Sequence, residues 1–219
     1  MNEVEHRWIG NIPYLKAERI QVEHRDLILA GARKEVVFGA IHPPVYVSGV
    51  RTPPDGDILT ELRQTGVPLV RSKRGGLVTY HGPGQLMIYC LIDVRRRNWT
   101  IPAFVCKLEQ AVINWLESIG IEGHRVDGAP GIWVDDQKIC ALGLHFKRWV
   151  SMYGLALNLY PEKERTDLIR PCGYDPSKLT SMVELTGTSW EADRVWNDVT
   201  SRLIGNIRMK CVDSMYSNG

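Results

Sequence analysis

The sequence predicts a single-domain α+β fold with mixed or antiparallel sheets. Three observations carry this. The chain has 219 residues, the size of one large domain with room for a substantial core. Apolar residues recur at helical spacing in several separate places, with short β-rich runs between them. Strands and helices do not alternate strictly, which argues against a doubly wound parallel sheet.

The elements follow in chain order. Pro13 and Gly31 bracket a first helix over 14–30, with proline at the start and glycine past the end. Runs at 35–41 and 45–48 are short and β-rich. Asp57 and Gly66 bracket a short helix around 58–64, and 67–71 leads into a glycine loop. The run LMIYCLIDV over 86–94 is almost continuously apolar, as in a strand buried on both faces. Thr100 is a suitable N-cap for the next helix, with Pro102 in its first turn and Gly120 beyond its end. Its apolar positions 101, 104, 105, 108, 111, 112, 115, 116 and 119 form one stripe. Segments 131–134, 138–145 and 150–159 read as a meander, with turns at Asp135-Asp136 and at 146–148. Thr188 and Glu191 have the spacing of a capping box before a last helix. Its apolar face holds Ala192, Val195, Trp196, Val199 and Leu203. Residues 206–219 read as a loose tail on a domain spanning 1–219.

Composition narrows the function classes. Lys and Arg number 27 against 25 Asp and Glu, for a net charge of +2, weak support for a nucleic-acid binder. No run approaches the roughly 18 apolar residues of a membrane span. The N-terminus MNEVEHRWIG has neither an apolar signal core nor an Arg-rich transit pattern, so a cytoplasmic chain is expected, with a processed organelle protein as the alternative. Cysteines stand at 90, 106, 140, 172 and 211, with no pair at CxxC spacing. Reduced thiols are expected, with neither a disulfide framework nor a zinc finger. No metal or cofactor is called for.

The densest unusual stretch runs from Arg71 to Gln85, RSKRGGLVTYHGPGQ. Glycines there permit positive φ and close backbone approach to a ligand, and Lys73 and Arg74 supply charge for a phosphate or carboxylate. Neither a Walker phosphate loop nor a Rossmann fingerprint is present. The segment RGGLVTYHGPGQ over 74–85 resembles the signature of the lipoate-protein ligase B family. Two further blocks are similar to that family in the same order: GIWVDDQKICALG over 131–143, and GLALN over 154–158 followed by IRPCG over 169–173 and LTSM over 179–182. The resemblance spans roughly 14–205. It implies a biotin/lipoate ligase-like fold, with a mixed main sheet, a smaller sheet and flanking helices.

By residue type alone, Cys172 is the best nucleophile candidate, since it lies between Pro171 and Gly173 outside any apolar run. Cys90 and Cys140 sit inside strand patterns, Cys106 on the polar face of a helix, and Cys211 in the tail. Lys138, taken alone, reads as a solvated lysine at a strand end. The resemblance implies that Cys172 and Lys138 are the catalytic pair. It further implies octanoyl transfer from octanoyl-acyl carrier protein to a lysine of a lipoyl domain, through a thioester on the cysteine, without cofactor. The acceptors implied are lipoyl domains of 2-oxoacid dehydrogenase complexes and the glycine cleavage H protein. Acyl-binding residues implied are Arg74, Gly75, Gly76, Leu77, Val78, Thr79, Tyr80 and His81, then Ala141, Leu142 and Gly143, then Gly154, Leu155 and Ala156. Small residues there would line a narrow apolar tunnel. His81 is expected to bind or to support the transition state. Backbone amides near Gly75 and Gly76 are candidates for the oxyanion site. Segment 150–153 receives no role. The alternative is an ATP-dependent lipoate or biotin ligase of the same fold, whose GGG-type or GRG-type nucleotide loop RGGLVTYHGPGQ does not match.

Overall fold

A computed structural model describes residues 3–53, 57–169 and 178–208. Two sheets organise them. The larger one contains β1 (Glu5–Asn11), β2 (Val36–Ile41), β6 (Gln85–Leu91), β7 (Gly131–Val134), β8 (Gln137–Lys147) and β9 (Val150–Asn158), in the spatial order β1-β2-β6-β9-β8-β7. β1 runs parallel to β2 and the other neighbours are antiparallel, so the sheet is mixed. The smaller sheet has the order β4-β3-β5, from β3 (Val45–Ser48), β4 (Leu69–Arg71) and β5 (Thr79–His81).

β6 is buried along its whole length because both faces of the main sheet are covered. Leu86, Ile88 and Cys90 face one core, built with α3 (Ile101–Ser118) and α6 (Ala192–Arg208). Met87, Tyr89 and Leu91 face a second core under α1 (Tyr14–Leu29). β9 divides the same way: Leu155 and Leu157 face α3 and α6, and Ala156 faces α1. A third cluster joins the small sheet to α2 (Asp57–Gln64) through Tyr46, Leu62 and Tyr80.

Local chemistry sets the helix ends. Thr100 caps α3 by accepting from the amide of Ala103. The capping box sits elsewhere than expected. Ser181 accepts from the Glu184 amide and its hydroxyl donates to the Glu184 carboxylate, starting α5 (Met182–Thr186). The Thr188 hydroxyl is engaged with that of Thr186. α6 continues to Arg208, so 206–208 are helical, not tail. A short α4 (Lys163–Thr166) follows β9. The β8–β9 turn falls at Arg148-Trp149, both at positive φ, later than the expected 146–148. Among the described residues no helix is long and apolar enough to cross a membrane.

Candidate active site

A groove opens on the α1 face of the main sheet, and the strand register explains why. β8 and β9 pair Ala141 with Ala156 and Gly143 with Gly154. Alternation sends the intervening Leu142 and Leu155 toward the opposite core. Two adjacent pairs of minimal side chains therefore leave a trough where larger residues would fill the space. On β6, Met87 pairs with Ala156 and Tyr89 with Gly154, which closes one side of the trough. Gly154 is required sterically, since a Cβ there would collide with the Ile88 carbonyl oxygen. A Cβ on Gly143 would meet the Arg74 side chain at an ordinary 3.6 Å.

The small sheet and its loop supply the roof. Val78, Thr79, His81 and Arg74 line the cavity together with Tyr14 from α1 and Tyr153 from β9. Thr79 and His81 face it, whereas Tyr80 between them points away, packs on Tyr46 and donates its hydroxyl hydrogen to Glu162. Of the expected acyl-binding residues, Arg74, Val78, Thr79, His81, Ala141, Leu142, Gly143, Gly154, Leu155 and Ala156 thus meet around one cavity. Gly75, Gly76, Leu77 and Tyr80 do not line it. Sequence reasoning missed Tyr14, Met87, Tyr89 and Tyr153, each of which resembles ordinary core in sequence. Tyr153 holds a left-handed φ of 62° immediately before Gly154. Its hydroxyl bonds Glu18 at 2.7 Å and its amide bonds Gln21 at 2.9 Å.

Arg74 is not placed to meet a phosphate. Arg74 is buried, and its guanidinium donates to the carbonyls of Val47 at 2.6 Å, Leu77 at 2.5 Å and Gly75 at 3.0 Å. It braces the loop from within. The Gly75 amide donates to Leu144 O at 3.0 Å, so it is unavailable as the expected oxyanion donor. Arg71 and Lys73 remain exposed.

His81 lines the groove, and His42 lies behind it, with the two ring centroids 6.4 Å apart. His42 donates from Nδ1 to the Ile12 carbonyl at 2.6 Å and accepts the Tyr89 hydroxyl at Nε2, 2.5 Å away. His81 stacks on Tyr14 and bonds Gln85 through Nδ1 at 3.0 Å. Burial lowers the pKa of His42 to about 4. Burial, reinforced by the nearby Arg74 charge, lowers that of His81 to about 3. Both rings are neutral near pH 7. Burial also pushes the Tyr14 hydroxyl up to about 12.

The expected catalytic pair divides. Cys172 lies outside the described residues, as does Cys211. Lys138 does not behave as a solvated strand end, being only 3% exposed. Its Nζ donates to the Pro130 carbonyl at 2.9 Å and sits 4.8 Å from the centre of the Trp133 ring. Lys138 does not itself line the groove. It bridges Leu179, and its carbonyl accepts from the Thr180 amide at 3.1 Å. This is where the described chain resumes after the segment that carries Cys172. Cys90 and Cys140 are buried core residues, and burial raises both thiol pKa values far above the ordinary range. Cys140 packs in the α3 and α6 core and stays out of the groove. No disulfide joins the described cysteines Cys90, Cys106 and Cys140. No cluster of potential metal ligands occurs among the described residues.

A mixed sheet with a smaller sheet roofing an apolar groove defines the lipoate ligase class of fold. A solved lipoate-protein ligase A bound with ATP superposes with a TM-score of 0.71 over 97% of this chain and 88% of that one, at 13% identity. The chain belongs to the lipoyl protein ligase A/B catalytic domain family, whose model matches residues 7–204. Among its relatives, an octanoyltransferase of Methylococcus capsulatus is 46% identical over 66% of this chain and 68% of its own length. An octanoyltransferase of Salmonella paratyphi A is 39% identical over 92% of this chain and 90% of its own.

Proposed function

We infer that the chain is an acyltransferase that moves an octanoyl group onto a lysine of a lipoyl domain. The observation that carries this is the groove of paired small residues, Ala141 with Ala156 and Gly143 with Gly154, roofed by 74–81. Its walls suit a narrow unbranched chain. Each methylene buried there is worth about 0.8 kcal/mol. The sequence relatives, named octanoyltransferases, support the same reading.

In this reading the donor is octanoyl-acyl carrier protein, and the acceptors are lipoyl domains of 2-oxoacid dehydrogenase complexes and the glycine cleavage H protein, met in the cytoplasm. The Cys172 thiolate attacks the thioester carbonyl, and the carrier thiol leaves with a proton from Lys138. The acceptor amine then attacks the acyl-enzyme. Lys138 takes the amine's proton, an amide forms and the Cys172 sulfur is released. Lys138 is buried beside Trp133, with its ammonium donating to the Pro130 carbonyl, which holds it at a fixed position for proton exchange. The ATP-dependent alternative is disfavoured by the loop: Arg74 and the Gly75 amide are spent on protein carbonyls.

Intact-mass spectrometry after incubation with octanoyl-carrier protein tests the chemistry. One octanoyl group is expected, mapped to Cys172 and discharged by a lipoyl domain without ATP. An adduct on another cysteine, or transfer that requires ATP, overturns the assignment.

A further inference from the structure

A chain of hydrogen bonds runs from the groove through the sheet to the strand edge at Lys138. His81 Nδ1 meets Gln85 Oε1 at 3.0 Å. Gln85 Nε2 donates to Asn158 Oδ1 at 3.0 Å, and Asn158 Nδ2 donates to the Thr180 carbonyl at 3.0 Å. The Thr180 amide in turn bonds Lys138 O. His81, Gln85, Asn158 and Thr180 are all buried.

The polarity of this chain is not arbitrary. A backbone carbonyl can only accept, so the Asn158 amide must turn its NH₂ toward Thr180. Asn158 Oδ1 then faces Gln85 and requires a donor, which fixes the Gln85 NH₂ there. Gln85 Oε1 is left facing His81, and an oxygen can only accept the Nδ1 hydrogen. Flipping either amide would set two acceptors or two donors against each other in a buried site, at a cost of about 1–3 kcal/mol for each group left unsatisfied. His42 obeys the same logic in one step, with the Ile12 carbonyl fixing its Nδ1 hydrogen.

We propose that Gln85 and Asn158 are positioning residues that hold His81 as the neutral Nδ1–H tautomer, so that Nε2 presents a hydrogen-bond acceptor to the acceptor amine in the groove. Nε2 has no partner among the described residues, and His81 lines the cavity. Once the nucleophilic thiol is acylated, the incoming amine brings the polar hydrogen that an acceptor there can hold. Burial keeps His81 a weak base, so it orients the amine N–H without removing its proton, which passes to Lys138. The Nδ1 hydrogen stands on the hydrogen-bond geometry and the neutral ring on its burial beside Arg74, while the kinetic consequence rests on the acyl-transfer reading.

The experiment is long-range ¹H–¹⁵N NMR of the labelled full chain at neutral pH, with the His81 ring assigned by its loss in His81→Gln. The wild type is expected to show a protonated, pyrrole-type Nδ1 and a pyridine-type Nε2. An Nε2–H ring or an imidazolium in the wild type overturns the proposal, whatever the variants do. Asn158→Leu frees the Gln85 amide to rotate and is expected to populate the Nε2–H tautomer. Asn158→Asp still offers Gln85 only acceptors and is expected to keep the Nδ1–H form, even with a lower melting temperature from its lost bond to Thr180. In single-turnover transfer from preformed acyl-enzyme to a lipoyl domain, Asn158→Leu should be about 10- to 100-fold slower, a range borrowed from the loss of outer partners of metal-ligating histidines. Asn158→Asp should recover most of that rate. A Leu variant that keeps the wild-type tautomer, or Leu and Asp variants with equal transfer rates, refutes the relay. Absence of acyl transfer in every protein, with the tautomer as expected, would instead count against the acyl-transfer reading alone.

Discussion

At the residue scale, the proposed catalytic role of Lys138 separates into charge and proton transfer. A free thiol of pKa about 8.5 is about 3% thiolate at pH 7, and a shift to 6.5 would make it about 75%. That gain of about 25-fold is cut by roughly 8-fold, because nucleophilicity falls as pKa falls with a slope near 0.45. An electrostatic role alone is therefore worth about 3-fold, whereas general acid–base catalysis is worth about 10²–10⁴-fold. Lys138→Arg retains the charge but cannot readily lose a proton. We expect kcat at least about 100-fold lower, the lower end of the acid–base range. Since Lys138 is buried, the melting temperature is measured alongside, and Lys138→Met serves as the uncharged control. A folded Lys138→Arg enzyme with turnover near wild type would leave electrostatics as its only role. Residue type alone had suggested a solvated lysine. The Pro130 carbonyl and the Trp133 ring that hold it lie on neighbouring segments that one-dimensional reading does not bring together.

At the element scale, strand alternation made much of the groove legible. The GLALN and CALG patterns place small residues two apart, and the period of two puts them on one sheet face. What the sequence did not reveal was the facing wall. Met87 and Tyr89 lie in LMIYCLIDV, where the apolar run is nearly continuous and neither face is marked. β5 is three residues long and flanked by glycines, so it read as loop. β1 escaped notice because EHRWIGN has a largely exposed edge-strand pattern. The Ser181–Glu184 capping box was overlooked in favour of Thr188 and Glu191, which share its spacing but not its geometry. The groove's width follows from the Ala141–Ala156 pair, and that gives a prediction. Two methylenes are worth about 1.6 kcal/mol, a preference of about 15-fold for octanoyl over hexanoyl donors if the whole chain is buried. Ala156→Leu fills the trough beside Met87. It should erase that preference, bringing the octanoyl to hexanoyl ratio of kcat/KM to about one. An unchanged ratio in a folded variant would show that the chain runs elsewhere.

At the scale of the whole molecule, a net charge of +2 gives little long-range attraction for the proposed carrier protein if that partner is acidic, so steering would come from a local patch. The sequence holds three basic runs, Arg71, Lys73 and Arg74, then Arg95 to Arg97, then Lys147 with Arg148, and the structure engages several of their members. Arg74 is internal. Arg97 is half-buried and pairs with the buried Glu35, Arg96 pairs with Asp93, and Lys147 pairs with Asp26. Arg71 and Lys73 remain exposed, and the Lys73 amide donates to the hydroxyl of Tyr153, a groove-lining residue, at 3.3 Å. If the donor is the proposed octanoyl-carrier protein, they are the cations placed beside the groove to meet it. Rim charges act mainly on association rate and are screened over about 8 Å at physiological ionic strength. Lys73→Glu should therefore lower kcat/KM for octanoyl-carrier protein several-fold at low salt and flatten its salt dependence. Transfer from preformed acyl-enzyme to a lipoyl domain should be nearly unchanged, because the carrier has already left. If kcat/KM and its salt slope match wild type, the carrier docks on another face. If both half-reactions slow together, Lys73 shapes the groove through Tyr153, and its charge is not what matters.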